Sequence, residues 1–292
     1  MAQPEVFDQP VDVDQAVAAE PSPNAATLAI LGAGVMGETV LSGLLRAGWE
    51  PGQIVATDRR PDRAVELTET YGIRMLDNEA AAAEADTVIV VVKPQDMNDL
   101  LREIAGVVGD GTLVVSLVAG VDTAAIESQL PAGVAVVRVM PNTPAQVDEG
   151  MAAISAGSHT TQAQLDHVSE ILSATGRVVV VPERYQDAVT ALSGSGPAYL
   201  FFVVESMIEA GVHLGLPRDL ATQLVVQTML GSAKLLRETG EHPTVLRERV
   251  TSPGGTTAAA VRELENHRVR AAFITAMEAA RDRSIALASS DD

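Results

Sequence analysis

From residue 27 onward the chain alternates short, continuous apolar runs with longer stretches in which apolar residues recur every three or four positions. A brief apolar run bounded by turn residues reads as a buried strand, and the wider spacing reads as an amphipathic helix. The predicted strands are TLAIL (27–31), QIVAT (53–57), DTVIVVV (86–92), TLVVSLVAG (112–120), VAVVRVMPN (134–142), MAAISAG (151–157) and RVVVVP (177–182). Predicted helices are VMGETVLSGLLRAG, PDRAVELTETY, DMNDLLREIAGVV and TQAQLDHVSEILSAT. The alternation predicts an α/β unit built on a parallel, doubly wound sheet.

After Pro182 the strand signal stops, and long stretches such as SGPAYLFFVVESMIEAGVHLG and PRDLATQLVVQTMLGSAKLLRETG carry helical periodicity. The pattern predicts a disordered acidic tail at 1–25, a sheet domain at 26–182 and an all-helical domain of about five helices at 183–288. Those helices are apolar around much of their circumference. A second copy of the chain is the natural cover, a tightly packed monomer being the alternative.

Composition narrows the function. Hydrophobic residues make up 47% and aromatics 3%, so the cores are packed from small aliphatics. No run reaches the roughly 18–20 uninterrupted apolar residues of a membrane span; LVVSLVAGV (113–121) and YLFFVV (199–204) are too short. Cysteine is absent, which excludes disulfides, thiolate metal sites and cysteine nucleophiles. The histidines at 159, 167, 213, 242 and 267 show no metal-ligand spacing, so no metal is expected. Setting aside the five acids before residue 26 and Asp291–Asp292 reduces the formal charge from −19 to −12, with 32 acids against 20 bases. Such a body repels nucleic acid and anionic membranes. The start lacks a secretory signal, and a cytoplasmic protein is the plain expectation.

LAILGAGVMG places Gly32, Gly34 and Gly37 in G-x-G-x-x-G spacing between a strand and a helix. Gly32 permits the tight turn, Gly34 admits a pyrophosphate, and Gly37 lets helix and strand pack closely. The helix N-terminus adds unpaired N–H groups and a positive dipole end. The second strand ends in TDRR (57–60), where Asp58 suits the ribose hydroxyls of NAD while Arg59 and Arg60 suit the 2′-phosphate of NADP. NADPH is favoured on the two guanidiniums, with NADH still open.

Other loops fall at the carboxyl ends of strands, where ligands sit in such sheets. Lys93 in VVKPQ suits phosphate or nicotinamide, or is a solvated surface lysine. Asn142 and Thr143 stand between prolines, as a structural turn or as ligand contacts. SPGGTT (252–257) is a flexible, donor-rich turn feeding a helix. Either Thr256 caps the helix and the glycines only turn the chain, or the loop is an anion site sized for one carboxylate.

LGAGVMG, VVVKPQ, VRVMPNTPAQVDEGM, DAVTALSGSGPAYLFFVVESMIEAGVHLGLPRDLA and VTSPGGTTAAAVRELE occur in one order over about 27–287. In these motifs the chain resembles the pyrroline-5-carboxylate reductases, which catalyse the last step of proline synthesis. The resemblance implies a Rossmann-type domain, NAD(P)H as hydride donor, and a helical domain interlocked in a homodimer, often within larger rings such as a decamer. It implies cofactor contacts at Gly32, Gly34, Met36, Gly37, Asp58, Arg59, Asn78, Val92, Lys93, Pro94 and Ala119. Substrate contacts are implied at Glu183, Ser252, Gly255, Thr256 and Thr257. The charged residues at 57–60 depart from the neutral ones of many members, as does the long acidic N-terminal tail.

The implied substrate is a small ring with a C=N bond and a carboxylate, so its reduction is mostly a matter of orienting the hydride. A protonated imine is already electrophilic, which fits the lack of an obvious catalytic histidine; Thr257 is the candidate to hydrogen-bond the ring nitrogen. A β-hydroxyacid dehydrogenase would need a lysine in SGSGPAYLFFVV, and none is there. A dinucleotide sensor without chemistry would not require the intact VTSPGGTT loop.

Overall fold

The computed structural model describes residues 27–289, so the expected tail at 1–25 lies outside the described residues. One eight-stranded sheet runs β3-β2-β1-β4-β5-β6-β7-β8. Its strands are β1 (Leu28–Leu31), β2 (Ile54–Thr57), β3 (Arg74–Met75), β4 (Thr87–Val90), β5 (Leu113–Ser116), β6 (Ala135–Met140), β7 (Gly150–Ala156) and β8 (Gly176–Val180). The order 3-2-1-4-5-6 is that of a Rossmann sheet. β1, β2, β4, β5 and β6 are buried along their whole length, which is why they read as unbroken apolar runs.

Helices cover both faces. On one face α1 (Val35–Arg46), α2 (Pro61–Tyr71) and α6 (Gln162–Ser173) bury Leu41, Leu44, Leu67, Val168 and Ile171 against the strands. On the other, α3 (Asn78–Glu84), α4 (Pro94–Ile104) and α5 (Thr123–Glu127) bury Ala81, Met97, Leu101 and Ile126. Each large aliphatic buried this way contributes about 1.5–3 kcal/mol.

The sheet departs from the all-parallel expectation at β7, which pairs antiparallel with β6. Only a short 3₁₀ turn at Thr143–Val147 connects these strands. Parallel neighbours need a crossover of a dozen or more residues, so the chain has to return antiparallel. With α6 as the crossover, β8 is again parallel to β7. The apolar runs also overshoot their strands. Val91–Val92 and Leu117–Gly120 leave the sheet and continue as loops at its carboxyl edge.

Beyond β8 the described residues hold no strand. A 3₁₀ turn (Glu183–Tyr185), one-turn α7 (Gln186–Val189) and a π-helical turn (Thr190–Gly194) lead into α8 (Gly196–His213). Then come α9 (Arg218–Thr239), α10 (Pro243–Arg249), α11 (Thr256–Asn266) and α12 (Val269–Ser289). Within one chain these helices leave large apolar side chains in the open: Phe201 is 66% exposed, Phe202 69%, Leu214 81% and Leu230 59%. Against the expectation from apolar runs, the helical stretch 183–213 is long and apolar enough to cross a membrane. A helix that packs against a second subunit meets the same criterion, because its apolar residues need not be uninterrupted.

Candidate active site

The glycine loop sits where β1 gives way to α1. Gly32 adopts φ +100°, a conformation that favours glycine, and a Cβ there would lie 2.8 Å from the Val91 carbonyl oxygen. A Cβ on Gly37 would run into the Gly32 carbonyl, whereas nothing lies within 4 Å of the Cβ position at Gly34. Two of the glycines are thus required by packing, and the third leaves a space. Gly34 is also the N-cap of α1 and offers no side-chain cap. The first-turn N–H groups therefore face that space without a side-chain partner, a cradle that fits a pyrophosphate.

Beside the loop lies a cleft of about 600 Å³, lined by Gly32, Asp58, Arg59, Asn78, Val92 and Lys93 among others. Pro94 follows as the first residue of α4, and Ala119 stands exposed after β5. A chain of hydrogen bonds stiffens the cleft wall. The Thr57 hydroxyl accepts from the Gly32 N–H at 3.2 Å and donates to Asn78 Oδ1 at 2.7 Å. Asn78 Nδ2 in turn donates to Glu103 at 2.9 Å.

The charged turn after β2 has its own order. The Asp58 carboxylate accepts the Arg60 N–H at 2.9 Å and stands 3.7 Å from the Arg60 guanidinium. Arg59 reaches Asp96 at 2.8 Å while its side chain stays 70% exposed. Behind the turn, Glu38 of α1 takes the Tyr71 hydroxyl at 2.9 Å and pairs with Arg63, tying α2 to α1. Burial pushes the Tyr71 phenol up, and its bond to Glu38 adds to the shift.

The loop at 252–257 is a second, separate feature. The Gly255 N–H closes a turn on the Ser252 carbonyl at 3.0 Å, and Gly254 takes φ +70°. Gly255 is the N-cap of α11, again without a side-chain cap, and Thr256 is the first helical residue. Thr256 as cap is thereby overturned: the glycine turn places Gly255 at the position where a hydroxyl would have folded back. Ser252 and Thr256 are exposed and Thr257 is half-buried. Within one chain none of residues 252–257 lines the Gly32 cleft.

Glu183, expected beside that loop, is engaged elsewhere. Its carboxylate accepts from the Thr123 N–H at 2.8 Å and the Thr123 hydroxyl at 2.6 Å, and lies 3.4 Å from the buried Arg138 guanidinium. It clasps the first turn after β8 to α5 and β6. Met36 lines a small apolar recess with Leu117 and Pro141. Asn142 acts structurally, accepting the Met151 N–H at 2.8 Å and donating to the Ser193 carbonyl at 3.2 Å.

Residues 183–287 match a family model described as pyrroline-5-carboxylate reductase dimerisation, and residues 27–120 match one described as NADP oxidoreductase coenzyme F420-dependent. A pyrroline-5-carboxylate reductase from Corynebacterium melassecola is 47% identical over 262 residues, covering 88% of this chain and 97% of that protein. The chain belongs to the pyrroline-5-carboxylate reductase family. The solved structure of a family member from Coxiella burnetii superposes with a TM-score of 0.87 at 36% identity, over 90% of this chain and 99% of that one. Another, from Plasmodium falciparum with NADP bound, superposes with a TM-score of 0.82 at 28% identity, over 90% and 98%. The open apolar faces of α8 and α9 belong to the region matched by the reductase dimerisation model, and the chain forms homo-oligomers.

Several residues that hold Asn78 and Glu183 in place carry no local sequence signal. Thr57 and Glu103 reach Asn78 from β2 and α4, at sequence distances of 21 and 25 residues. Arg138 and Thr123 reach Glu183 from 45 and 60 residues away. A buried arginine inside the apolar run VAVVRVM is the one visible hint, since such a charge requires a partner.

Proposed function

We propose that two uncapped helix N-termini divide the family's reaction between them, α1 receiving the dinucleotide pyrophosphate and α11 the substrate carboxylate. The chain is an NAD(P)H-dependent oxidoreductase that reduces the C=N bond of 1-pyrroline-5-carboxylate to L-proline. The observation that carries the division is that α1 and α11 both begin on a glycine, Gly34 and Gly255, with no side-chain cap. Each leaves N–H donors and a positive dipole end for an anion.

Bound in the Gly32 cleft, NAD(P)H supplies the hydride. Gly32, Gly34, Met36 and Gly37 hold its phosphates and near ribose; Asp58, Arg59 and Asn78 meet the adenosine end; Val92, Lys93, Pro94 and Ala119 flank the remainder. Ser252, Gly255 and Thr256 hold the carboxylate, and Thr257 hydrogen-bonds the ring nitrogen. The hydride enters at the ring carbon, and the proton already on nitrogen stays there, giving the secondary amine. Glu183 borders the substrate while anchored on Thr123 and Arg138. The assignment divides the chain into a nucleotide domain at 26–182 and a substrate and dimerisation domain at 183–288.

NADPH is the preferred donor. Asp58 is turned into its own loop by the Arg60 N–H, which weakens its claim on ribose hydroxyls. Arg59 is held only by an exposed pair that a phosphate can replace. Arg59→Ala is expected to raise KM for NADPH about tenfold, the loss of one charge-assisted bond, and to leave KM for NADH nearly unchanged. Equal changes for both nucleotides, measured by initial rates, would contradict the preference.

A homodimer is the basic unit and a decamer the larger assembly we assign; sedimentation velocity distinguishes them. The acidic body, −12 without its terminal acids, favours a cytoplasmic enzyme without nucleic-acid or membrane partners.

A further inference from the structure

We infer that Asn142 is a positioning residue for hydride transfer: its amide locks the helical half of the chain onto the carboxyl edge of the sheet. This rests on the division of the reaction between the α1 and α11 termini.

The lock begins at the π-helical turn. The Ser195 N–H reaches the Thr190 carbonyl at 2.8 Å, five residues back, so the turn holds one residue more than an α-helix allows. Such turns release carbonyls from the regular ladder and cluster at functional sites. The Ser193 carbonyl accepts from Asn142 Nδ2 at 3.2 Å, while Asn142 Oδ1 accepts the Met151 N–H at 2.8 Å. The chemistry fixes which way the amide points. An N–H can only donate and a carbonyl can only accept, so oxygen must face Met151 and nitrogen must face Ser193. Aspartate lacks the donor, leucine lacks both groups, and glutamine is one methylene too long.

The segment that Asn142 closes is tied on both flanks. Asp148 pairs with Arg46 at the end of α1 at 2.6 Å, and Glu149 pairs with Arg237 of α9 at 2.5 Å. The bond from Arg237 holds the Glu149 carboxyl below its ordinary range. The π turn packs onto the end of β6, since a Cβ at Gly194 would stand 3.2 Å from the Met140 sulfur. Pro141, next in the chain to Asn142, shares a recess with Met36 of the glycine loop and with Leu117. Asn142 thus stands between the loop that receives the dinucleotide and the π-helical turn, which packs against α12, itself packed against the α11 helix that opens with Thr256 and Thr257. A shift there changes the angle between donor and acceptor and spares the binding of either.

The test uses the full-length protein. Asn142→Asp keeps the acceptor for Met151 and sets a carboxylate against the Ser193 carbonyl; Asn142→Ala removes both bonds without adding charge. Each is expected to lower kcat by about 10- to 100-fold, the scale of a small misalignment. The dissociation constant for NADPH, read by fluorescence, and the oligomeric state should stay as in the wild type. The primary deuterium isotope effect on kcat with NADPH labelled at the transferred position should rise, because hydride transfer becomes more nearly rate-limiting. An unchanged kcat or isotope effect would overturn the inference, as would a fall in kcat matched by loss of NADPH binding or of the oligomer. Failure of both variants to fold would assign Asn142 to stability and overturn it equally. A wild-type protein that does not reduce the imine would instead refute the underlying division of the reaction.

Discussion

Replacing Thr257 with alanine lowers kcat for imine reduction about a hundredfold, while the dissociation constant for NADPH stays within about twofold. Thr257 is the second residue of α11, half-buried, and its hydroxyl comes from a helix whose cap is the glycine before it. Glycine capping leaves the backbone donors of the first turn for the carboxylate and the Thr257 hydroxyl for the ring nitrogen. Removing the hydroxyl deletes one hydrogen bond that aligns the C=N bond and leaves the carboxylate cradle in place. The Gly32 cleft lies elsewhere in the chain and shares no lining residue with 252–257, so nucleotide binding is spared. Thr257→Ser keeps the hydroxyl and should retain most of the activity. Stopped-flow turnover beside a nucleotide titration separates the effects. A Thr257→Ala protein as fast as the wild type would remove this residue from the site.

The second large effect contrasts two glycines three residues apart. Gly34→Val weakens NADPH binding roughly 10- to 100-fold with little loss of folding stability, because its side chain enters a space the fold leaves empty. Gly37→Ala acts oppositely. Its methyl group meets the Gly32 carbonyl and the Ile30 side chain, so α1 has to move off β1. A loss of about 1–3 kcal/mol is expected, read as a lower urea midpoint, with nucleotide affinity falling as a consequence. If Gly34→Val bound NADPH normally, the pyrophosphate would not sit where the helix dipole and open space place it. A Gly37→Ala protein as stable as the wild type would contradict the packing role.

The sheet was legible where burial is symmetrical. β1, β4, β5 and β6 are covered on both faces, so their apolar runs carry the prediction without any alternation. β3 is two residues, Arg74 and Met75, neither of them buried, and α3 is a seven-residue alanine-rich helix burying only Ala81 and Ala82. Neither is long enough to register as periodic. The reversal at β7 was readable in principle, since no helical pattern separates it from β6. The apolar run by itself does not show the reversal, because strand signals carry no direction.

The site divides along the same line. Gly32, Gly34 and Gly37 sit in one local loop, so spacing reveals them. The bonds that stiffen them depend on the parallel register that sets Leu31 against Thr57, which only the folded sheet creates. SPGGTT was visible as a donor-rich turn, yet which residue caps α11 depends on φ and ψ at Gly255. The residues alone leave a Thr256 cap and an anion site both open, and the backbone assigns the cap to Gly255.

The most direct measurement of the whole account follows the hydride itself. The full-length protein is incubated with 1-pyrroline-5-carboxylate and NADPH carrying deuterium at the transferred position, and the proline formed is analysed by mass spectrometry. Proline carrying a single deuterium at the former imine carbon is expected, formed in step with nucleotide oxidation and greatly slowed in Thr257→Ala. Failure to form proline with either NADPH or NADH, or proline without the label, would contradict it.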